Sequence, residues 1–189
     1  MDETEIDIRE RVQPLIEDGA FQQAEALLEE RLSQQARAHF KSLIGKGFKN
    51  DPRDIAKNIA AFKRFCEKDF PLQALYLEMS DNDWKVDLFG FAKRLDEECP
   101  DEDLSEFDSG DWPGIQLLGL DDAREEFDDY HAPRNPDRHD PAVQRAALYA
   151  EWLVACKFFV LVQRSVTSFV PNTQVFASVH DWDVIACIK

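Results

Sequence analysis

Two histidines in one short loop are the residues whose types and spacing come closest to a metal site. His131 and His139 stand eight positions apart, and four aspartates accompany them: Asp128, Asp129, Asp137 and Asp140. Imidazole nitrogens and carboxylate oxygens together bind borderline and hard divalent metals. A metal-assisted hydrolase that uses residues 128–140 is therefore one hypothesis. The alternative, which we favour, is a proline-interrupted polar loop in which Asp140 caps the following helix.

The rest of the chain carries none of the common catalytic motifs. It contains no G-x-S-x-G nucleophile turn, phosphate-binding loop, dinucleotide fingerprint or H-E-x-x-H pair. The four cysteines, Cys66, Cys99, Cys156 and Cys187, are far apart and form no C-x-x-C pair. Cys66 and Cys156 fall inside apolar helical patterns, where cysteine behaves as an inert small hydrophobe. We therefore expect no cofactor, and a binding protein is favoured over an enzyme.

Acidic residues around a tryptophan could instead form a surface for a partner. They dominate residues 96–111, and a second acidic cluster occupies residues 121–129. Carboxylates would steer a basic partner towards this region, and the aromatic side chain would anchor it. The spacing of the acids does not match an EF-hand loop, so calcium is not expected. The expected partner-binding residues are Asp101, Glu102, Asp103, Glu106, Asp108, Asp111 and Trp112.

The overall charge supports the same interpretation. The 189 residues include 38 acidic and 22 basic side chains, which gives a formal charge of -16. Such a surface repels nucleic acid and anionic membranes and attracts basic proteins at rates that fall with salt. We expect an acidic binding protein, such as an inhibitor or immunity-type neutraliser of a basic protein partner. A structural protein that self-associates, with the N-terminal helices as a dimer surface, is a further alternative to the hydrolase.

A long apolar helix is expected at the centre of the fold. Asp140 and Pro141 form a good helix start, and the helix that follows, about 141–168, is apolar on nearly every side. Its densest apolar run, Trp152–Val162, contains Lys157 and is about 11 residues long, whereas a membrane helix needs roughly 20. We expect a buried helix in a water-soluble protein. The acidic N-terminus does not resemble a signal peptide, so a cytoplasmic location is expected.

Helices are also expected before this centre. Residues 4–47 predict two helices, the first kinked at Pro14 and the second running from Phe21 to about Ile44. A third helix opens at Asp51 and Pro52. We expect one α+β domain over residues 1–189, with residues 1–48 as a candidate helical-hairpin appendage.

Two stretches with a period of two predict β-hairpins. In the first, Ala74–Met79 and Trp84–Ala92 flank a polar turn, and Met79 is expected to face Trp84 while Glu78 faces Lys85. In the second, residues 173–179 and 183–188 are expected to form the two strands. Outside the hairpins, residues 114–120 are expected to form a brief strand or turn. The expected fold is N-terminal helices plus a mostly antiparallel sheet packed around the buried central helix.

Overall fold

The computed structural model describes residues 3–35, 39–80, 83–96, 104, 106–166, 172–180, 182 and 184–188. The expected site residues Asp101, Glu102 and Asp103, and Cys99, lie outside this described part. The helices are α1 (Glu3–Asp7), a π-helical segment (Ile8–Val12), α2 (Gln13–Glu17), α3 (Phe21–Gln34), a 3-10 turn (Lys41–Leu43), α4 (Pro52–Cys66), α5 (Asp121–His131), a second 3-10 turn (Pro136–His139) and α6 (Pro141–Val166). The strands are β1 (Ala74–Met79), β2 (Lys85–Phe91), β3 (Ile115–Gln116), β4 (Gln174–Val179) and β5 (Ala186–Cys187).

The strands form one mixed sheet in the order β3-β2-β1-β4-β5. Strands β1 and β4 run parallel, with Ala74 beside Gln174 and Met79 beside Val179, and the other neighbouring pairs are antiparallel. Parallel neighbours need a long crossover connection, which the chain between β1 and β4 supplies. The predicted α+β fold, with a mostly antiparallel sheet and a buried central helix, is confirmed.

Contacts divide the chain into two compact units. One unit contains residues 1–49 and 118–157, and the other contains residues 50–117 and 158–189. The sheet and α4 belong to the second unit, and α6 continues along the chain from the first unit into the second. The N-terminal helices, expected as an appendage, pack in the first unit with α5 and the first part of α6.

Helix α6 is long and apolar on nearly every side. By length and composition alone it could cross a membrane, but 78% of its most apolar window is buried within the protein. Ala150, Cys156 and Phe159 are fully buried on different sides of the helix. This agrees with the expectation that a helix apolar all round is enclosed by protein. Asp140 caps it as predicted, because its Oδ1 accepts a hydrogen bond from Ala142 N at 2.8 Å.

The first hairpin has a different register from the predicted one. Met79 lies beside Val86 and Glu78 beside Asp87, so the predicted pairing is wrong by two residues. The reason is Trp84, whose φ of 52° places it in the left-handed turn rather than in the strand. The hairpin closes at Ser80, whose N–H donates to Lys85 O at 2.8 Å.

The helix predicted from Phe21 to Ile44 is also shorter than expected, since α3 ends at Gln34. Phe40 then adopts a left-handed φ of 59°. Its N–H and the Ser42 hydroxyl donate to the two carboxylate oxygens of Glu126, at 3.0 and 2.6 Å. This carboxylate holds the chain in a turn where helical periodicity alone predicts continuation. The predicted disturbance at Pro14 appears as the π-helical segment that precedes it, because proline provides no N–H for a regular helical hydrogen bond.

Strand β4 is buried more completely than its alternating pattern predicts. All six of its residues are buried, and in β1 only Glu78 is partly accessible. Both strands have neighbours on either side in the sheet order, so neither is an edge strand. Strand β5 comprises two residues and is shorter than predicted.

Candidate functional site

Trp112 packs against α4 in the structure. Its Nε1–H donates to Asn58 Oδ1 at 3.1 Å. Its ring centroid lies 5.6 Å from that of Phe62 and 5.2 Å from that of Phe65. The half-buried indole therefore attaches the end of the acidic segment to α4. Most of its apolar surface is buried in contacts within the protein.

The segment just before Trp112 follows the edge of β2. The N–H groups of Asp108 and Ser109 both donate to Gly90 O, at 2.9 and 3.2 Å. In return, Gly90 N donates to Ser109 Oγ at 3.0 Å, and Ala92 N donates to Asp108 Oδ2 at 2.7 Å. These four hydrogen bonds hold this part of the acidic segment in a defined position. The side chains of Glu106 and Asp111 remain exposed.

The aromatic residue that this segment presents to solvent is Phe107. Its side chain is 47% exposed, and its ring centroid lies 4.9 Å from that of Phe89. Phe89 in turn lies 5.9 Å from Tyr76, its neighbour in the register of β1 and β2. The three rings form a continuous row across one face of the sheet. Tyr76, at the inner end of the row, is buried in a cluster that includes Phe91 and Phe176, and Phe89 packs against the same cluster.

Carboxylates lie beside the aromatic row. The Tyr76 hydroxyl donates to Glu78 Oε1 at 3.2 Å, and Glu78 Oε2 lies 3.4 Å from His180 Nδ1. Asp87, beside Glu78 in the register, pairs with Lys85 at 2.9 Å. Exposed carboxylates also flank Phe107 on both sides. We call this surface the acidic aromatic face and define it by Tyr76, Glu78, Asp87, Phe89, Glu106, Phe107 and Asp108.

Of the partner-binding residues expected from the sequence, this face contains Glu106 and Asp108. Tyr76, Phe89 and Phe107 were not predicted from the sequence and were identified in the structure. A signal for Phe89 is present in the sequence. Lys85, Asp87 and Phe89 share one phase of β2, and Val86 and Leu88 share the other. An aromatic residue in the polar phase of a strand indicates a second apolar surface. Phe107 is a single hydrophobic residue among acids, and pattern alone cannot show whether it is exposed.

Carboxylates of the second acidic cluster make internal contacts in the first unit. Glu126 binds the turn at residues 40–42, as described above. Asp122 pairs with Lys46 at 2.8 Å, and that hydrogen bond lowers the pKa of the Asp122 carboxyl below its usual value. These two residues therefore have structural partners in the first unit.

The structure separates the histidines from any metal-binding arrangement. His131 Nε2 lies 3.9 Å from Glu151 Oε1, and the His131 ring packs against Phe127 and Tyr130. His139 is exposed at the end of the second 3-10 turn. Within the described part of the chain, no group of three or more His, Cys, Asp or Glu residues is arranged to hold a metal ion. The set expected around residues 128–140 does not converge there.

The two cysteines expected in the core are buried, as predicted. Burial raises the pKa of the Cys66 thiol to about 11, and it raises the pKa of Cys156 still further. Both thiols are therefore protonated at neutral pH, and a nucleophilic role for either is disfavoured.

The acidic aromatic face combines an accessible ring with carboxylates on a supported surface. Such a surface suits a ligand that carries both apolar area and positive charge. Compared with known proteins, the chain matches no family model, no curated protein and no solved structure.

Proposed function

We propose that this protein is an acidic binding protein that holds a basic protein partner on the acidic aromatic face. In this proposal it acts as an inhibitor or immunity-type neutraliser of that partner. The observation that carries it is the 47% exposed ring of Phe107, which packs against Phe89 at a tilt and has carboxylates on both sides. Arginine and lysine side chains pack on aromatic rings and pair with carboxylates, so one basic residue can use both features.

The net charge supports this choice of partner. A formal charge of -16 accelerates the approach of a basic protein and slows the approach of nucleic acid. Aromatic residues supply much of the binding energy at protein interfaces, whereas exposed acids mainly set the association rate and specificity. The proposal therefore gives Phe107 and the exposed acids different parts in binding.

Among the expected partner-binding residues, Glu106, Asp108 and Asp111 would contact or steer the partner. Asp101, Glu102 and Asp103, which precede them in the chain, would extend the same acidic segment. Trp112 would act from inside the protein by holding the segment against α4. These assignments replace Trp112 with Phe107 as the proposed anchor.

Partner capture at two salt concentrations tests the proposal. The purified chain would be immobilised, exposed to lysate of its source cell, and the retained proteins identified by mass spectrometry. The expected result is one basic protein in stoichiometric amount, lost as salt rises. Capture of nothing at low salt, or of acidic proteins only, would contradict the proposal.

Calorimetry with the identified partner then tests the face itself. Removing an interface aromatic anchor typically costs at least about 2 kcal/mol, so Phe107→Ala should weaken binding roughly thirtyfold. The matched control is Leu118→Ala, since Leu118 is 55% exposed in the other unit. Glu106→Gln with Asp111→Asn should mainly slow association at low salt. Equal affinities of the Phe107→Ala and Leu118→Ala variants for the partner would contradict binding at the acidic aromatic face.

A cytoplasmic location is proposed for the protein, and fractionation of the source cell would test it. Self-association through the N-terminal helices is the competing proposal, and light scattering over a concentration series would test it. A dimer that persists at low concentration and captures no partner would favour the structural alternative.

A further inference from the structure

A polar cavity of about 360 Å³ lies in the first unit, bordered by α1, the end of α3 and the first part of α6. Its volume falls in the range of small-molecule pockets. The walls include Glu3, Asp7, Arg31, Gln35, Arg145 and Tyr149. The residues of the acidic aromatic face belong to the second unit, and no part of the proposed partner binding uses this cavity.

One carboxylate in the cavity already has its partners. Asp7 accepts hydrogen bonds from Arg31 Nε at 2.8 Å, Arg31 Nη2 at 3.2 Å and the Tyr149 hydroxyl at 3.0 Å. Arg11 Nε lies 3.3 Å from the same carboxylate. Burial acts to raise the pKa of Asp7, but the hydrogen bonds from Arg31 and Tyr149 outweigh it, and the net pKa is lowered. Asp7 and Arg31 therefore form a charge pair within the protein.

Two other charges in the same cavity stand apart from this pair. The half-buried Arg145 guanidinium makes no hydrogen bond or ion pair with any residue that the structure describes, and the same holds for the exposed Glu3 carboxylate. An arginine that is partly removed from water is stabilised by an anionic partner. Its planar guanidinium group can donate two parallel hydrogen bonds to one carboxylate. Glu3 offers an acceptor of opposite charge in the same wall.

We propose that this cavity binds a small zwitterion of the free α-amino acid class. The carboxylate of the ligand accepts two hydrogen bonds from Arg145, and its ammonium group faces Glu3. The four charged side chains that line the cavity, Asp7, Glu3, Arg31 and Arg145, carry formal charges that sum to zero, and Arg11 adds a positive charge beside Asp7. A ligand that carries both charges matches Arg145 and Glu3, which have no partner among the described residues, and leaves the Asp7–Arg31 pair intact.

Titration of the full-length protein with each of the common amino acids tests the proposal, with acetate and methylamine as single-charge probes. Binding would be followed through the Arg145 side-chain resonance in ¹H–¹⁵N spectra and by calorimetry. We expect saturable binding of at least one amino acid at millimolar concentration or below, and weaker binding of both single-charge probes. No saturable amino acid binding, or acetate binding of equal strength, would overturn the proposal.

Variants connect the binding to the named groups. Arg145→Lys keeps the charge but loses the planar fork, so affinity should fall about tenfold. Glu3→Gln should weaken amino acid binding and strengthen acetate binding, because it removes a negative charge from the wall of the cavity. The matched control is Arg134→Gln, an exposed arginine outside the cavity, which should bind as the wild type does. Wild-type affinity in Arg145→Lys and in Arg145→Gln, both checked for folding by circular dichroism, would overturn the assignment.

Discussion

The ammonium group of Lys157 lies 2.7 Å from Oε1 of Glu29, although only 2% of the lysine side chain is exposed. Glu25, one turn earlier on α3, contributes a second carboxylate oxygen at 2.9 Å. The same Glu29 oxygen also accepts a hydrogen bond from Gly45 N at 2.9 Å. The one charge inside the densest apolar run of α6 is thus paired with two acids on α3.

Removing this ammonium group should destabilise the protein. Breaking a buried ion pair from one side costs about 3 kcal/mol, so Lys157→Ala should lower the free energy of unfolding by roughly that amount. Lys157→Met keeps most of the packed volume and should cost less. Urea denaturation would measure both, with Glu30→Ala on the exposed side of α3 as the control, expected within about 0.5 kcal/mol of wild type. Wild-type stability of Lys157→Ala would contradict a structural role for the pair.

The free energy of unfolding should fall at acidic pH as the Asp7 carboxylate becomes protonated. Its pKa is lowered from a usual value of 3.8, so the folded state favours the ionised form. The stabilisation is therefore present above the unfolded-state pKa and is lost as pH falls through the lower folded-state pKa. The stability difference between wild type and Asp7→Asn should be constant near neutral pH and shrink below pH 3.8. Asp18→Asn, at an exposed site, is the control. A difference that does not change with pH would contradict the prediction.

Gly90 allows close contact between β2 and the segment around α4. A Cβ at this position would lie 2.9 Å from Leu72 Cδ1 and 3.0 Å from Cys66 Sγ. Overpacking of this kind costs about 1–3 kcal/mol, and Gly90→Ala should lower the midpoint of urea unfolding accordingly. Gly47→Ala is the matched control, since a Cβ there meets nothing within 4 Å. Equal loss in both variants would show that the contact is not the cause.

The buried thiols should resist modification in the folded protein. In a Cys99→Ser, Cys187→Ser variant, Cys66 and Cys156 are the remaining cysteines. Because burial raises both pKa values, to about 11 for Cys66, a thiol reagent should label neither at neutral pH until denaturant is added. Rapid labelling of Cys66 without denaturant would indicate that the region around α4 opens readily.

Substitution of Trp112 should lower the free energy of unfolding and have a smaller effect on the affinity for the partner. Trp112→Phe keeps an aromatic ring but loses the hydrogen bond to Asn58, which predicts a loss of about 1 kcal/mol. A double-mutant cycle with Asn58→Ala would isolate that hydrogen bond. The affinity of Trp112→Phe for a captured basic protein should exceed that of Phe107→Ala. The reverse order would restore Trp112 as the anchor.

Local patterns in the sequence were enough to predict several elements. Asp140 and Pro141 mark the start of α6 because cap and proline signals act between adjacent residues. The all-round apolar pattern that follows predicts burial, and the period of two in Ala74–Met79 predicts a strand. Each of these signals depends on residues close in the chain, so sequence alone determined these elements and the α+β class.

Tertiary structure decided which segments meet. The left-handed turn at Trp84 set the hairpin register, and the Glu126 carboxylate binds a turn at residues 40–42 where periodicity predicts a helix. The partners of Lys157 and the exposure of Phe107 depend on residues distant in sequence. Side-chain type limits which contacts are possible, but the positions of distant segments decide which of those contacts form. The residues of the acidic aromatic face could therefore be identified only from the structure.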